Sequence, residues 1–121
     1  AQLTAIDLNK GEIVWQVPLG EGSPTIRNHP LLKGVKLPDR LGSAMSGGAL
    51  LTGSGLIFIG GGDSYLYAFD KKTGKEVWRG KVPFSSQALP MTYRTKAGKQ
   101  YIAVSTGAGP DAALVAFALA Q

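Results

Sequence analysis

The chain has 121 residues, 44% apolar and 17% charged, which suits one modest globular domain and excludes wholesale disorder. Its 17 glycines and 7 prolines, about a fifth of the sequence, exclude long helices and favour short strands joined by tight turns. Cysteine is absent, so disulfides, thiolate metal sites and cysteine nucleophiles are excluded together, and the net charge of +5 is spread over turns without the aromatic–basic pattern of a nucleic-acid surface. No apolar run reaches the ~18 residues of a membrane-spanning helix.

In chain order, residues 5–15 (Ala-Ile-Asp-Leu-Asn-Lys-Gly-Glu-Ile-Val-Trp) predict strand, turn, strand. Asp7 accepts hydrogen bonds from turn amides, and Gly11 supplies the positive φ that such a turn needs. The stretch at about 18–45 holds four of the seven prolines and is too long for a passive link, which predicts a functional or mobile connection. Strands follow at about 47–52, 56–60, 65–70 and 76–80, separated by Thr52-Gly53-Ser54-Gly55 and Gly60-Gly61-Gly62-Asp63. Residues 68–78 (Ala-Phe-Asp-Lys-Lys-Thr-Gly-Lys-Glu-Val-Trp) repeat 5–15 at an offset of 63, with five of eleven positions identical. The repeated positions are Ala5, Asp7, Gly11 and Trp15 against Ala68, Asp70, Gly74 and Trp78, with Val14 and Val77 alongside. The remaining strands are predicted at 88–94, 100–105 and 113–119, where Leu114-Val115-Ala116-Phe117 begins a third copy.

Short antiparallel strands in repeated sets of four are the pattern of propeller blades. The expected fold is therefore all-β: about two blades of four-stranded antiparallel sheet. Residues 1–17 end one blade, 18–45 form a long inter-blade loop, 46–82 make a complete blade and 83–121 an incomplete final one. Trp15 and Trp78 are expected at equivalent, mostly buried positions between blades. A piece with open blade faces and an unfinished sheet is expected to self-associate, as a closed homo-oligomer.

The Ala-x-Asp-x-x-x-Gly-x-x-x-Trp repeat resembles the tryptophan-docking motif of the quinoprotein dehydrogenases, which use pyrroloquinoline quinone (PQQ). It is also similar to the repeats of non-enzymatic scaffold propellers of the BamB-like kind, so a docking scaffold is the alternative. Ser46-Gly47-Gly48-Ala49-Leu50-Leu51-Thr52 with Gly55-Leu56-Ile57-Phe58-Ile59-Gly60 resembles the segment before the last complete blade in PQQ-dependent glucose and alcohol dehydrogenases. Gln87-Ala88-Leu89-Pro90-Met91-Thr92-Tyr93 with Gly98-Lys99-Gln100-Tyr101-Ile102-Ala103-Val104 resembles the final-blade signature, and the membrane-type glucose dehydrogenase branch is the nearest in pattern.

The resemblance implies the C-terminal end of an eight-bladed propeller enzyme that holds PQQ and calcium in its central funnel. Such an enzyme oxidises a sugar or alcohol and passes electrons to a quinone or cytochrome. It implies a periplasmic location, with membrane association through a region outside this chain, and the remaining blades of the parent propeller as partners. The catalytic aspartate and calcium ligands of the family have no counterpart here, so no catalytic or metal residue is assigned and the isolated piece is expected to be inactive and free of cofactor. Cofactor-facing positions carried over from the family are Met45, Ser46, Gly47, Asp63, Gly107 and Gly109. Where the glucose-dehydrogenase branch carries a histidine in the last of these loops, Thr106-Gly107-Ala108-Gly109-Pro110 has only glycine and alanine.

Other chemistry finds little support. His29, the one histidine, lies between Asn28 and Pro30 with no nucleophile elbow in the sequence, and reads as a loop residue. Neither glycine-rich phosphate-binding pattern occurs, and Asp7, Asp39, Asp63, Asp70 and Asp111 are too scattered for a calcium loop. Arg27, Lys33, Lys36 and Arg40 make the 18–45 connection basic, suited to the tricarboxylate cofactor or an acidic partner.

Overall fold

The computed structural model describes residues 1–44 and 47–120 and contains three antiparallel sheets. The first is a hairpin of β1 (Gln2–Asp7) and β2 (Glu12–Pro18). The second has four strands in chain order, β3 (Ala49–Leu51), β4 (Leu56–Gly60), β5 (Tyr65–Asp70) and β6 (Glu76–Lys81). The third has β7 (Met91–Arg94), β8 (Gln100–Thr106) and β9 (Ala113–Ala118). Every pairing links sequence neighbours, the meander expected of propeller-type sheets.

The sequence repeat is also a repeat of backbone geometry. Ala5 pairs with Trp15 and Ala68 with Trp78, and each pair is followed by a bulge at the same place, Ala5/Ile6 and Ala68/Phe69. In both turns the aspartate carbonyl accepts from the glycine amide, at 2.7 Å for Asp7–Gly11 and 2.9 Å for Asp70–Gly74. The carboxylates repeat as well: Asp7 Oδ1 accepts from Asn9 and Lys10 amides, Asp70 Oδ1 from Lys72 and Thr73. These bonds hold the Asp70 carboxyl below its ordinary range, the Thr73 amide contributing most. Gly11 and Gly74 take φ of +68° and +71°, where an L side chain is strained.

The middle sheet is covered on both faces. Alternation along β5 sends Tyr65, Tyr67 and Phe69 to one side and Leu66 and Ala68 to the other. Tyr67 and Phe69 meet Leu19 and Ile59, with Leu3 and Val17 from the first hairpin against them. Leu66 meets Val82 and Val104, with Ile102, Val115 and Phe117 of the third sheet packed on that cluster. The core thus sits between sheets, as stacked repeats require.

The two tryptophans part company here. Trp15 lies flat against Gly74, where a Cβ would come 2.6 Å from its ring, and its indole N–H donates to Lys71 O at 3.0 Å. Trp78 instead meets Phe117 edge-on at 5.2 Å and keeps 39% of its surface exposed, so the expectation of a mostly buried residue is corrected. Its exposed face borders a groove of about 340 Å³ with Phe58 and Leu119.

Two predicted strand starts move inward. The 47–52 strand shrinks to Ala49–Leu51, because Gly47 and Gly48 press against residues 87–89 of the connection that follows β6. The 88–94 strand begins only at Met91, after Pro90, which has no N–H to give a ladder. The 18–45 connection holds a one-turn helix α1 (Pro24–Arg27), capped by Ser23 Oγ with Pro24 in the first turn. Its base is zipped by Leu41 to Glu21, Gly42 to Gly20 and Ser43 to Leu19 backbone bonds.

Candidate functional site

The connections at one end of the sheets (18–45, 61–64, 82–90 and 107–112) bring together most of the cofactor-facing positions expected from sequence. Gly47 N–H donates to Gly60 O at 3.4 Å, and a Cβ on Gly47 would stand 2.6 Å from Ala88 O. Gly60 in turn lies under Ser86, whose hydroxyl donates to Ser105 O at 2.7 Å. Gly107 N–H donates to Ser85 O at 3.1 Å, so residues 85–88 bridge Gly47 to Gly107. Small residues are needed along this rim because backbone meets backbone there. Gly109, at φ +56°, has nothing within 4 Å of a hypothetical Cβ and faces open space. Met45 and Ser46 lie outside the described residues.

Asp63 sits apart from that bridge and knots the long connection to the middle sheet. Its Oδ2 accepts from the Glu21 amide at 2.9 Å and from the Tyr67 hydroxyl at 2.7 Å, while Oδ1 accepts from Tyr65 N–H at 3.1 Å. Burial, then the hydrogen bond to Asp63, pushes the Tyr67 phenol far above its ordinary value. The Tyr65 bond closes a local turn at this aspartate, and the bonds to Glu21 and Tyr67 add a tie across the rim.

Sequence reasoning missed the charged cleft beside this knot. Arg40 donates through Nε and Nη2 to the two Glu76 carboxylate oxygens, each at 2.9 Å, and lies over the Tyr67 ring at 5.7 Å. Arg79 pairs with Glu21 at 2.7 Å and lies over Tyr65 at 4.8 Å. The hydrogen bond to Glu76 raises the Arg40 pKa further, and that to Glu21 does the same for Arg79. Arg27 is spent on the carbonyls of Glu21, Pro38 and Asp39. Arg27 thus closes the connection and Arg40 ties it to β6, which leaves Lys33 and Lys36 as its exposed cations. The alternation Tyr65–Tyr67–Phe69 was the available signal for the aromatic bed; the arginines above it gave none. His29 is exposed and caps the turn at Pro30–Leu32, Nδ1 accepting from Leu31 N–H at 3.3 Å.

Among the described residues no three His, Asp or Glu side chains group as a metal site. No helix among them is long and apolar enough to cross a membrane. The residues present fit PQQ in one respect. The glycine rim keeps side chains off a shared edge, and Gly109 opens onto unfilled space. Its nearest arginines are already engaged with Glu21 and Glu76.

A repeated strand–turn–strand unit, stacked sheets and an indole seated on the next repeat's glycine define a propeller-type β protein. The model of the PQQ-type glucose/ethanol/alcohol dehydrogenase β-propeller domain matches residues 1–102. The chain belongs to this family. A probable quinone-linked quinate dehydrogenase of Xanthomonas campestris is 47% identical over 87% of this chain and 13% of its own length. The quinoprotein glucose dehydrogenase of Escherichia coli is 35% identical over the same shares. A quinohemoprotein alcohol dehydrogenase structure from Pseudomonas putida superposes at a TM-score of 0.64 with 26% identity, over 89% of this chain and 12% of that one. The quinate relative thus exceeds the glucose one in identity, although the glucose-dehydrogenase pattern was the nearer from sequence. The chain spans about an eighth of the curated relatives it matches.

Proposed function

We propose that this chain is part of the wall of the cofactor chamber in a PQQ-dependent dehydrogenase that oxidises a polyhydroxylated alcohol, in the sugar or cyclic-polyol class, and hands electrons to a quinone or cytochrome. The family match across residues 1–102 carries the reading, and the glycine rim supports it. PQQ, when bound, supplies the acceptor for hydride from the substrate carbon. This chain's share is positional: Gly47 and Gly107 meet the 82–90 connection at backbone contact, and Asp63 ties the 18–45 connection to the middle sheet. Met45, Ser46 and Gly109 complete the proposed cofactor-facing set. In this reading the base that takes the hydroxyl proton and the calcium ligands belong to other blades of the parent, and a periplasmic location goes with the family resemblance. The blade limits 1–17, 46–82 and 83–121 belong to the same reading.

The test is PQQ titration of the cofactor-free full-length parent, read by dye reduction with quinate, glucose and glycerol. Met45→Ala is expected to raise the PQQ needed for half-activation about tenfold, an effect of ~1.4 kcal/mol, while Lys72→Ala leaves it unchanged. An unaltered titration in Met45→Ala removes the wall assignment. A parent that neither takes up PQQ nor reduces dye would restore the scaffold reading.

A further inference from the structure

The ends of the sheets opposite the glycine rim carry the tight turns 8–11, 52–55, 71–75 and 95–99. These turns stand side by side. Lys71 N–H donates to Gly55 O at 2.9 Å, the Trp15 indole reaches Lys71 O at 3.0 Å, and Thr52, Ser54 and Gln100 border one groove. Lysine is concentrated there: Lys10, Lys71, Lys72, Lys75, Lys96 and Lys99 are all exposed. Asp7, Asp70 and Glu12 offset three of these six charges, which leaves the end with a net excess of lysine. Asp7 and Asp70 each turn an oxygen onto their own turn amides, Arg40 holds Glu76, and Glu12 is the remaining acid. From residue 77 to residue 110 the sequence has no acidic side chain at all.

Two apolar features lie within this cationic end. Leu8, at the tip of the β1–β2 turn and two residues from Lys10, is 91% exposed. Tyr93 and Tyr101, at the root of the β7–β8 hairpin, stack at 5.3 Å and 12°, with Lys99 Nζ 5.7 Å above the second ring. Exposed lysines are hydrated, mobile point charges; they suit a diffuse anionic surface better than a planar fork of the kind arginine offers one carboxylate. A projecting leucine and amphipathic tyrosines among such lysines match the layered chemistry of a bilayer's headgroup region.

We propose that this turn end docks on an anionic phospholipid surface. Each lysine near such a surface contributes about 1 kcal/mol, or roughly fivefold in partitioning. The inference stands apart from the cofactor reading, since it uses the other end of the sheets.

The experiment is co-sedimentation of the 121-residue chain with phosphatidylcholine vesicles, with and without phosphatidylglycerol, at low and physiological salt. Binding is expected only to the anionic vesicles. Lys71→Gln/Lys72→Gln should weaken it about 25-fold, as should Lys96→Gln/Lys99→Gln. Lys33→Gln/Lys36→Gln, which removes the same charge from the 18–45 connection, should leave it within about twofold, and far-UV circular dichroism confirms that each variant is folded. Leu8→Ser should make the remaining binding more salt-sensitive. Equal weakening by all three lysine pairs would mean that net charge alone acts and would overturn the proposal. So would failure to bind phosphatidylglycerol vesicles while binding an acidic protein or polyglutamate.

Discussion

Alanine at Gly74 and at Gly11 isolates the contact on which sheet stacking depends. Both glycines hold nearly the same backbone, φ +71° and +68°, so the strain of an L residue is shared, at about 1 kcal/mol. Their surroundings differ. A Cβ at Gly11 meets nothing within 4 Å, whereas one at Gly74 stands 2.6 Å from both Cδ2 and Cε3 of Trp15. Carbon atoms settle at ~3.5–4.0 Å, so the ring must retreat by about 1 Å. That retreat breaks the 3.0 Å bond from the indole to Lys71 O, a loss of about 1 kcal/mol, and adds an overpacking cost of about 1–2 kcal/mol. Gly74→Ala should therefore cost roughly 2–3 kcal/mol more than Gly11→Ala, which separates their melting temperatures by about 8–12 °C. Thermal unfolding followed by circular dichroism reads the difference. In a Trp15→Ala background the two substitutions should become equivalent. Coincident melting of the two single variants in the wild-type background would refute the claim that Trp15 is seated on Gly74.

Three more outcomes are expected. Trp78→Ala should lower stability by about 2 kcal/mol through its edge-on contact with Phe117, less than full burial would give, and Lys72→Ala should change it by under about 0.5 kcal/mol in the same melts. The Asp70 carboxyl, held below the ordinary aspartate range by its turn bonds, gives stability that is present above that range and lost as pH falls through the lower folded value. Asp70→Asn should flatten this acid limb of the unfolding curve, and an unchanged limb would remove the turn bonds as its cause. Finally, β1 and β9 each pair on one side only, and Ile13 and Leu114 are 62% and 74% exposed. Light scattering on dilute chain should show self-association, and a strictly monomeric species would contradict it.

Local chemistry made most of the fold legible. Short strand-forming runs bounded by glycine-rich turns located β4, β5 and β6 to within a residue, and the Asp–Gly pairs fixed both turns because all their bonds close inside five residues. The starts of β3 and β7 were misplaced for opposite reasons. Gly47 is displaced by a distant connection, residues 87–88, that no local pattern mentions, whereas Pro90 carried its own signal. The Ser23–Pro24 helix start was equally visible but was submerged in a proline-rich stretch read as loop. The candidate rim was reached through family pattern, not spacing, and its bridge through residues 85–88 depends on contacts between distant segments. The Arg40–Glu76 pair, 36 residues apart, had no sequence trace for the same reason.

The zipped base of the 18–45 connection changes how this region behaves under insertion and deletion. Backbone bonds between 19–21 and 41–43 bring the two ends together before the excursion begins, and Arg27 gathers three carbonyls across its neck. The sheets therefore feel the base and not the length of what lies beyond it, since doubling such a loop adds only ~0.6 kcal/mol of closure entropy. The tip around His29–Lys36 behaves as an exchangeable cassette on a fixed socket. Sequence beyond the neck is free to diversify, or to accept a grafted peptide, without renegotiating the register of the blades beneath.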